Sequence, residues 1–256
     1  MSLLMDIARC PIVEAVFRGL PAAEHCCSAI IRSQRVDELD MFHVPEPWSG
    51  RLDTAPILFL SSNPSINRDE QYPTWAWSDT GIDDFFVNRF GGGEKEWVKN
   101  QLRPLHTNGE HPYSVRFWAA IRQRAAELLG PEVRPGVDYV TAEVVHCKSA
   151  GEEGVWAALD FCADRYLKRL VAESAARVVV ALGVPAAYAC RRVFSLPTDL
   201  LLAGPQKIGE RERLFAFLPH PNARRARTFL SCLGPDVTEQ LRQTLAPTSA
   251  SGDTEA

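Results

Sequence analysis

Three short apolar runs and one alternating segment are separated by stretches with helical periodicity, and this alternation constrains the fold more than any other feature. They predict strands at residues 56–61, 138–146, 177–182 and 213–218. Short apolar runs bounded by turn residues are typical of strands buried on both faces. Strands that alternate with helices indicate a parallel sheet covered on both sides. We therefore expect an α/β fold, a three-layer α/β/α sandwich around a central four-stranded parallel sheet.

The segments between these strands predict the helices. Ser114 is the predicted N-cap of a helix that ends at Gly130-Pro131. A break is expected near residues 19–21, where Gly19-Leu20-Pro21 interrupts the first helical segment. The predicted helices cover residues 12–32, 114–129, 152–175, 183–194 and 226–244.

Two stretches depart from this regular pattern. Residues 66–113 are rich in Trp, Asp, Gly and Pro and have weak periodicity, which favours a long lid or binding loop. Residues 247–256, PTSASGDTEA, are of low complexity and are expected to be disordered. We expect residues 1–246 to form one domain.

Bulk composition excludes some classes of protein. A net charge of −4 argues against a wholly basic nucleic-acid binder, although a local basic face remains compatible with it. Seven cysteines, two of them adjacent, do not resemble a secreted disulfide framework. No apolar stretch is long enough to span a membrane, and the first residues lack the layout of a signal peptide. We expect a cytoplasmic monomer.

Two of the predicted strands each deliver a polar side chain at their carboxyl end. The first runs through Ile57-Leu58-Phe59-Leu60 and is followed by Asn63 in a proline-framed turn. The fourth is followed in the same way by His220, in the sequence LFAFLPHPN. Ligands of open α/β sheets bind in the crevice beyond the carboxyl ends of the strands. Asn63 and His220 are therefore candidate site residues.

Four motifs in chain order resemble the uracil-DNA glycosylase superfamily. They are NPS after the first strand, VVHCKS after the second, RVVVALG as the third and LPHPN after the fourth. The chain looks most similar to the branch related to the thermophilic, iron–sulfur-containing enzymes, over residues 55–230. Such enzymes hydrolyse the N-glycosidic bond of a damaged base after flipping the nucleotide out of the duplex, because the reacting atoms are inaccessible in a stacked helix.

The resemblance implies roles for individual residues. His220 matches the histidine that stabilises the departing base anion, and Asn63 matches the residue that positions water. An amide cannot act as a general base near neutral pH, so Asn63 would orient the water. Ser62 beside it is a candidate for base recognition, and Ser65 for contact with DNA. Tyr72, shortly after the first motif, is the candidate for stacking on the base, with packing of the lid as the alternative.

Glu143 is the main departure from the family pattern. In VTAEVVHC it occupies the position of an asparagine whose amide reads uracil. An ionised glutamate can only accept hydrogen bonds. Burial could keep it protonated as a mimic of the amide, or the pocket could prefer a base that presents donors. The third alternative is that the alignment is off by one residue and Glu143 faces solvent.

Residues after His220 are the candidates for gripping DNA. The resemblance implies that this loop wedges into the duplex and contacts phosphates. Arginine suits that role because its planar fork can bond two phosphate oxygens. The alternative is a solvated helix start. The candidate DNA-binding residues of this loop are Asn222, Arg224, Arg225 and Arg227.

The cysteines leave open whether the protein binds a cofactor. Cys147 and Cys162 are spaced like the second ligand pair of the iron–sulfur branch, but the first pair of that branch, a CxxC, is replaced by Cys26 and Cys27, with Cys10 further upstream. Adjacent cysteines bind a cluster only awkwardly, and Cys162 falls on an apolar helix face where a buried thiol is common. We expect no cofactor, with a [4Fe–4S] cluster on Cys26, Cys27, Cys147 and Cys162 as the alternative.

These observations favour a monofunctional DNA glycosylase acting on a deaminated or modified base. A non-catalytic protein that binds damaged or single-stranded DNA on the same fold is the alternative. An unrelated enzyme acting on a small nucleotide is disfavoured, because no Gly-rich phosphate loop follows any strand.

Overall fold

A five-stranded, mostly parallel sheet forms the centre of the computed structural model, which describes residues 2–19, 25–223 and 228–246. The strands are β1 (Ile57–Ser61), β2 (Val98–Lys99), β3 (Arg103–Pro104), β4 (Tyr139–Glu143), β5 (Val178–Leu182), β6 (Leu202–Ile208) and β7 (Arg211–Leu218). The order across the sheet is β4-β1-β5-β7-β6, and β2 and β3 pair separately as an antiparallel hairpin. All neighbours in the sheet are parallel except β6, which is antiparallel to β7.

The expected four-stranded sheet is thus corrected to five strands. The four parallel strands lie where the sequence predicts them, although β4 ends at Glu143 rather than continuing to His146. The strand that sequence reasoning missed is β6, which contains Gly204-Pro205. These are residues that strand interiors avoid, and the pairing with β7 shifts register across them. An edge position tolerates such a proline because one side of an edge strand makes no ladder bonds.

Ten α-helices surround the sheet in the described residues. They are α1 (Leu3–Ala8), α2 (Pro11–Phe17), α3 (Ser28–Arg32), α4 (Asp79–Val87), α5 (Arg116–Leu129), α6 (Val155–Cys162), α7 (Lys168–Glu173), α8 (Gly183–Phe194), α9 (Phe229–Leu233) and α10 (Pro235–Leu245). A π-helical turn, Ala163–Leu167, joins α6 to α7. None of these helices has the length and apolar character needed to cross a bilayer.

Several predicted helix boundaries differ from those observed. The N-cap of α5 is Val115, one residue after Ser114, and its side chain makes no capping bond. The single helix predicted near the C-terminus is two helices, because Gly234 has φ +83° and Pro235 begins α10. Thr228 opens α9 with a capping box to Ser231.

The sheet separates two apolar clusters, and alternate residues of β1 point into each. Ile57 and Phe59 pack with residues of α5, α9 and α10. Leu58 and Leu60 pack on the other face, with residues of the remaining helices. Period-two alternation explains this division, and it places helices on both faces of the sheet.

Residues 66–113 are more ordered than their weak periodicity suggests. They contain α4 and the β2–β3 hairpin, and Phe85 and Phe86 of α4 are buried in the same cluster as Leu58. This segment is therefore packed onto the core of the sheet. The tail predicted at residues 247–256 lies outside the described residues.

The strand order determines where a ligand can enter. From β1 the chain passes to β4 on one side, and then to β5 on the other side of β1. Such a reversal opens a crevice beyond the carboxyl ends of the strands. The residues that follow β1, β4 and β7 meet at this edge.

Candidate active site

A cavity of about 630 Å³ lies at the carboxyl edge of the sheet. Its walls come from the ends of β1, β4 and β7 and from the loop that leads into α5. Six of the sequence-predicted site residues line it: Ser62, Asn63, Ser65, Glu143, Asn222 and His220. The strands thus bring together side chains that are up to 160 positions apart in the chain.

Asn63 is held by its amide nitrogen. Nδ2 donates to the backbone oxygen of Pro64 at 3.0 Å and to Ser149 Oγ at 2.9 Å, with the backbone oxygen of Cys147 at 3.4 Å. These contacts fix the amide plane, because the two protons of the nitrogen are committed to protein acceptors. No hydrogen bond from the described residues reaches Oδ1. Asn63 therefore offers the cavity an oriented acceptor.

His220 is fixed by a ring stack and a backbone bond. Its imidazole stacks on Phe117, with centroids 5.6 Å apart and planes inclined by 20°. Nδ1 accepts a bond from the backbone N–H of Asn222 at 3.3 Å. Burial lowers the pKa of His220, Arg124 adds to this effect and Glu152 opposes it. The neutral imidazole that results carries its proton on Nε2, because Nδ1 is the acceptor.

Close packing behind His220 depends on a glycine. Gly183, the first residue of α8, has φ +83°, and a Cβ atom built there would lie 3.1 Å from the Cβ of His220. That distance is tighter than ordinary van der Waals contact. The positive φ also disfavours any residue with a side chain. Gly183 therefore allows His220 to approach the end of β5.

Glu143 is only 6 % exposed and lines the cavity, so the alternative in which it faces solvent is wrong. It pairs in register with Ser61 of β1, and Ser61 Oγ donates a hydrogen bond to its carboxyl. Burial raises the pKa of Glu143 to about 8, and Glu46 adds to this effect, whereas Ser61, Lys148 and Arg89 oppose it. At neutral pH the carboxyl is mainly protonated and can donate as well as accept.

Ser62 contributes a hydroxyl that the described residues leave unpaired. Its Oγ is buried, lines the cavity and has no hydrogen-bond partner there. A buried polar group without a partner costs free energy. A ligand that hydrogen-bonds Ser62 would recover that cost.

Tyr72 is not brought to the cavity. Its side chain is 3 % exposed and packs edge-on against Phe85 and Phe86, and its hydroxyl donates to Glu46 Oε2 at 3.2 Å. Lys148 Nζ lies 3.6 Å from the centre of its ring. A base in the cavity has no free face of Tyr72 to stack on. Phe117, which sequence reasoning did not select, is the aromatic residue beside His220.

Buried charges form the inner wall of the cavity. Arg89 donates to Glu46 Oε1 at 3.0 Å and to Glu70 Oε1 at 2.6 Å, and Lys148 Nζ lies 4.0 Å from Glu70 Oε2. All four side chains are buried and line the cavity. Burial alone would raise the pKa of Glu46, but Arg89 and Lys148 outweigh it and lower that pKa. We call Glu46, Glu70, Arg89 and Lys148 the buried ion cluster.

The sequence did not predict the buried ion cluster, because no local sequence pattern indicates it. Its four members lie in irregular segments, and the residues that form its closest pairs are 43 and 19 positions apart. The arginines predicted to grip DNA, Arg224, Arg225 and Arg227, lie outside the described residues.

Four cysteine side chains converge on a second, small apolar cavity. Cys10 precedes α2, Cys27 precedes α3, Cys147 follows β4 and Cys162 ends α6. All four line this cavity, whereas Cys26 is exposed and does not. Cys10 thus lies with Cys27, Cys147 and Cys162 at this cavity, whereas the alternative ligand set drawn from the sequence has Cys26 in its place.

The cysteine cavity has the donor set of a thiolate-bound metal. Burial, followed by the neighbouring sulfurs, raises the pKa of both Cys27 and Cys147. Clustered thiolates are therefore unfavourable unless a cation lies among them. Four sulfur donors suit an iron–sulfur cluster or zinc. Cys10, Cys27, Cys147 and Cys162 supply four sulfur donors around the cavity, and the ligand atoms of His25, Cys26 and Cys27 lie within 4.8 Å of one another.

No model of a known protein family matches the chain, and no curated protein has significant sequence similarity to it.

Proposed function

We propose that this chain is a DNA glycosylase that hydrolyses the N-glycosidic bond of a flipped, deaminated or modified base. The observation that carries the proposal is the cavity in which Asn63, Glu143 and His220 meet at the carboxyl edge of the sheet. One cavity thus holds an oriented acceptor, a buried carboxyl and a neutral histidine. The reaction requires such groups to position a water molecule, to recognise the base and to stabilise the base as it leaves.

His220 suits the stabilisation of the leaving base. When the bond between the base and C1′ breaks, the electron pair goes to the base, and negative charge develops on its oxygen. Nε2–H of the neutral imidazole donates to that oxygen. Since the stack on Phe117 and the bond from Asn222 fix the ring beforehand, little reorganisation is needed, and a preorganised donor of this kind is worth about 2.7–4 kcal/mol.

Asn63 suits the positioning of the attacking water. Its Oδ1 accepts a hydrogen bond from the water and directs the water oxygen towards C1′. The new C–O bond forms as positive charge develops on the sugar, and the water proton passes to solvent. Because an amide does not take up that proton, the rate depends on departure of the base more than on activation of the water.

Glu143 and Ser62 are the residues proposed to read the base. A protonated carboxyl offers one donor and one acceptor, the same pattern as an amide edge. This pairing suits a base that presents a carbonyl beside an N–H, such as uracil or hypoxanthine. Ionisation of Glu143 would instead favour a base that presents an amino group.

DNA with an altered base is the proposed partner, and Arg224, Arg225 and Arg227 with Asn222 and Ser65 are its proposed contacts. Neutralised phosphates release counterions, so binding should weaken as salt rises. The cytoplasm is the proposed compartment, and the proposed active form is a monomer.

A thiolate-bound iron–sulfur cluster is the proposed cofactor. Cys10, Cys27, Cys147 and Cys162 would hold it, and Cys26 would not. Such a cluster would cross-link segments that are far apart in the chain. Its proposed contribution is structural, because the cavity that contains His220 is a separate one.

Base release tests the proposed activity. Single- and double-stranded oligonucleotides carrying uracil, hypoxanthine, xanthine or hydroxymethyluracil are incubated with the protein, and abasic sites are revealed with alkali. We expect release of at least one base, loss of that release in His220→Ala, and retention in His111→Ala, which removes a histidine outside the cavity. Binding of these oligonucleotides without release would support the non-catalytic alternative, and release by His220→Ala would remove His220 from the mechanism.

Metal content tests the proposed cofactor. Protein purified without oxygen should show visible absorption and contain iron and acid-labile sulfide. Cys10→Ala should lose all three, and Cys26→Ala, the matched control outside the cavity, should keep them. Colourless protein with bound zinc would contradict the cluster, and loss of iron in Cys26→Ala but not in Cys10→Ala would contradict the ligand set.

A further inference from the structure

An exposed aromatic groove runs beside the candidate active site. Its volume is about 1180 Å³, and its lining is mostly apolar. Trp156 of α6 is 56 % exposed, Tyr188 of α8 is 42 % exposed, and their ring centroids are 6.0 Å apart. Val184 and Leu201 add exposed apolar surface. Contiguous exposed apolar surface of this kind marks an interaction site. We call it the aromatic groove.

The aromatic groove is continuous with the cavity of the candidate active site. Ser62, Glu152 and His220 line both. A chain molecule with one unit in the cavity would therefore have its next units in the groove. This continuity favours a ligand that is part of a longer polymer.

Two arginines, Arg191 and Arg192, and one glutamate, Glu152, line the aromatic groove. Arg192 is paired with Asp160 and Asp164, whereas Arg191 has no carboxylate partner in the described residues and its guanidinium lies 4.2 Å from the ring centre of Phe217. Exposed aromatic rings beside arginines form the combination that binds unpaired nucleic acid.

We propose that the aromatic groove binds the unpaired strand that flanks the nucleotide in the cavity, with bases stacked on Trp156 and Tyr188. This proposal rests on the proposed function, because the damaged nucleotide must occupy the cavity for its neighbours to lie in the groove. Stacking needs no particular base, since every base has an aromatic face. The groove therefore supplies affinity for single strands without sequence preference, and it favours substrates that are already unpaired near the damaged nucleotide.

The test measures binding of an undamaged, fluorescently labelled single strand of about 12 nucleotides, a length within the range of known single-strand sites. We expect Trp156→Ala and Tyr188→Ala each to weaken binding about tenfold. Met41→Ala is the control, since Met41 is 60 % exposed but lines neither the groove nor the cavity. Tryptophan fluorescence should be quenched by the strand in the wild type and less so in Trp156→Phe. The two substitutions should weaken binding of a duplex of the same sequence less than they weaken binding of the single strand.

The outcomes of this test distinguish failure of the groove proposal from failure of the proposed function. Because the probe carries no damaged base, weakened binding in both variants would support the groove even if no base is ever released. Unchanged single-strand affinity in both variants would overturn the groove proposal even if base release is found. Sedimentation is measured in parallel, and a dimer that Trp156→Ala dissociates, with strand affinity unchanged, would show that a second copy of the chain covers the groove instead.

Discussion

Asn63 and Ser149 are joined by a hydrogen bond of 2.9 Å from the amide nitrogen to the hydroxyl, which ties the end of β1 to the loop after β4. A parallel bridge between Ser65 and Ser149 lies beside it. The two loops therefore hold Asn63 from both sides. The acceptor that Asn63 presents to the cavity is positioned by its neighbours as much as by its own strand.

Replacing Ser149 by alanine should misplace Asn63 without removing it. We expect kcat for base release to fall by about tenfold to a hundredfold, because small misplacements of a positioned group have effects of this size, with little change in KM. Ser114→Ala is the matched control, since Ser114 lines the same cavity without contacting Asn63. An equal fall in kcat in both variants, or an effect confined to KM, would show that the bond to Ser149 does not orient the water.

The protonation of Glu143 should set the pH dependence of both activity and stability. Its pKa of about 8 in the folded protein lies above the ordinary value of 4.5. At pH values between these two pKa values, the folded protein holds a proton on Glu143 that the unfolded chain has lost. The free energy of unfolding therefore falls as pH rises through this range. Release of a base that needs a donor should fall as pH rises through about 8.

Glu143→Gln tests this dependence because the amide stays neutral. We expect its unfolding free energy to vary less with pH between 4.5 and 8 than that of the wild type, measured by denaturant titration at several pH values. Its release of uracil should persist above pH 8. Glu132→Gln, which removes an exposed glutamate outside the cavity, is the control. If the wild-type and Glu143→Gln profiles coincide, Glu143 is not the titrating group.

The sequence predicted the parallel part of the sheet because its signal is local. The apolar runs of β1, β5 and β7 are each bounded by turn residues, and burial of such runs does not depend on their partners. Edge strand β6 has no such signal, since Gly204-Pro205 would be unfavourable in a central strand.

The candidate site was predictable only where residues end a strand or follow it closely. Asn63 and Glu143 belong to that class, and both line the cavity. Arg89 and Cys10 do not, because what matters about each is its burial among residues from distant segments. Tyr72 shows the reverse error, since its closeness to the first motif in sequence does not bring it to the cavity.

Removing Arg89 from the buried ion cluster should destabilise the protein strongly. Arg89→Met removes the only partner that bonds both Glu46 and Glu70 in the described residues. Leaving buried carboxylates uncompensated costs about 3–5 kcal/mol. Arg18→Met is the control, because Arg18 is an exposed arginine paired with Glu14 on a helix surface, and we expect a change within about 0.5 kcal/mol. Equal denaturation midpoints for the two variants would contradict this account of the cluster.

Gly183→Ala separates backbone strain from displacement of His220. A side chain at φ +83° costs about 1–2 kcal/mol, and the new methyl group would also press on the Cβ of His220. Gly234 provides a matched control: its φ is also +83°, and a Cβ atom there would meet no atom within 4 Å. We therefore expect Gly183→Ala and Gly234→Ala to lose comparable stability in thermal denaturation, whereas only Gly183→Ala lowers base release and shifts the pKa of His220 observed by NMR. Base release that falls equally in both variants would mean that general destabilisation, rather than the position of His220, limits the reaction.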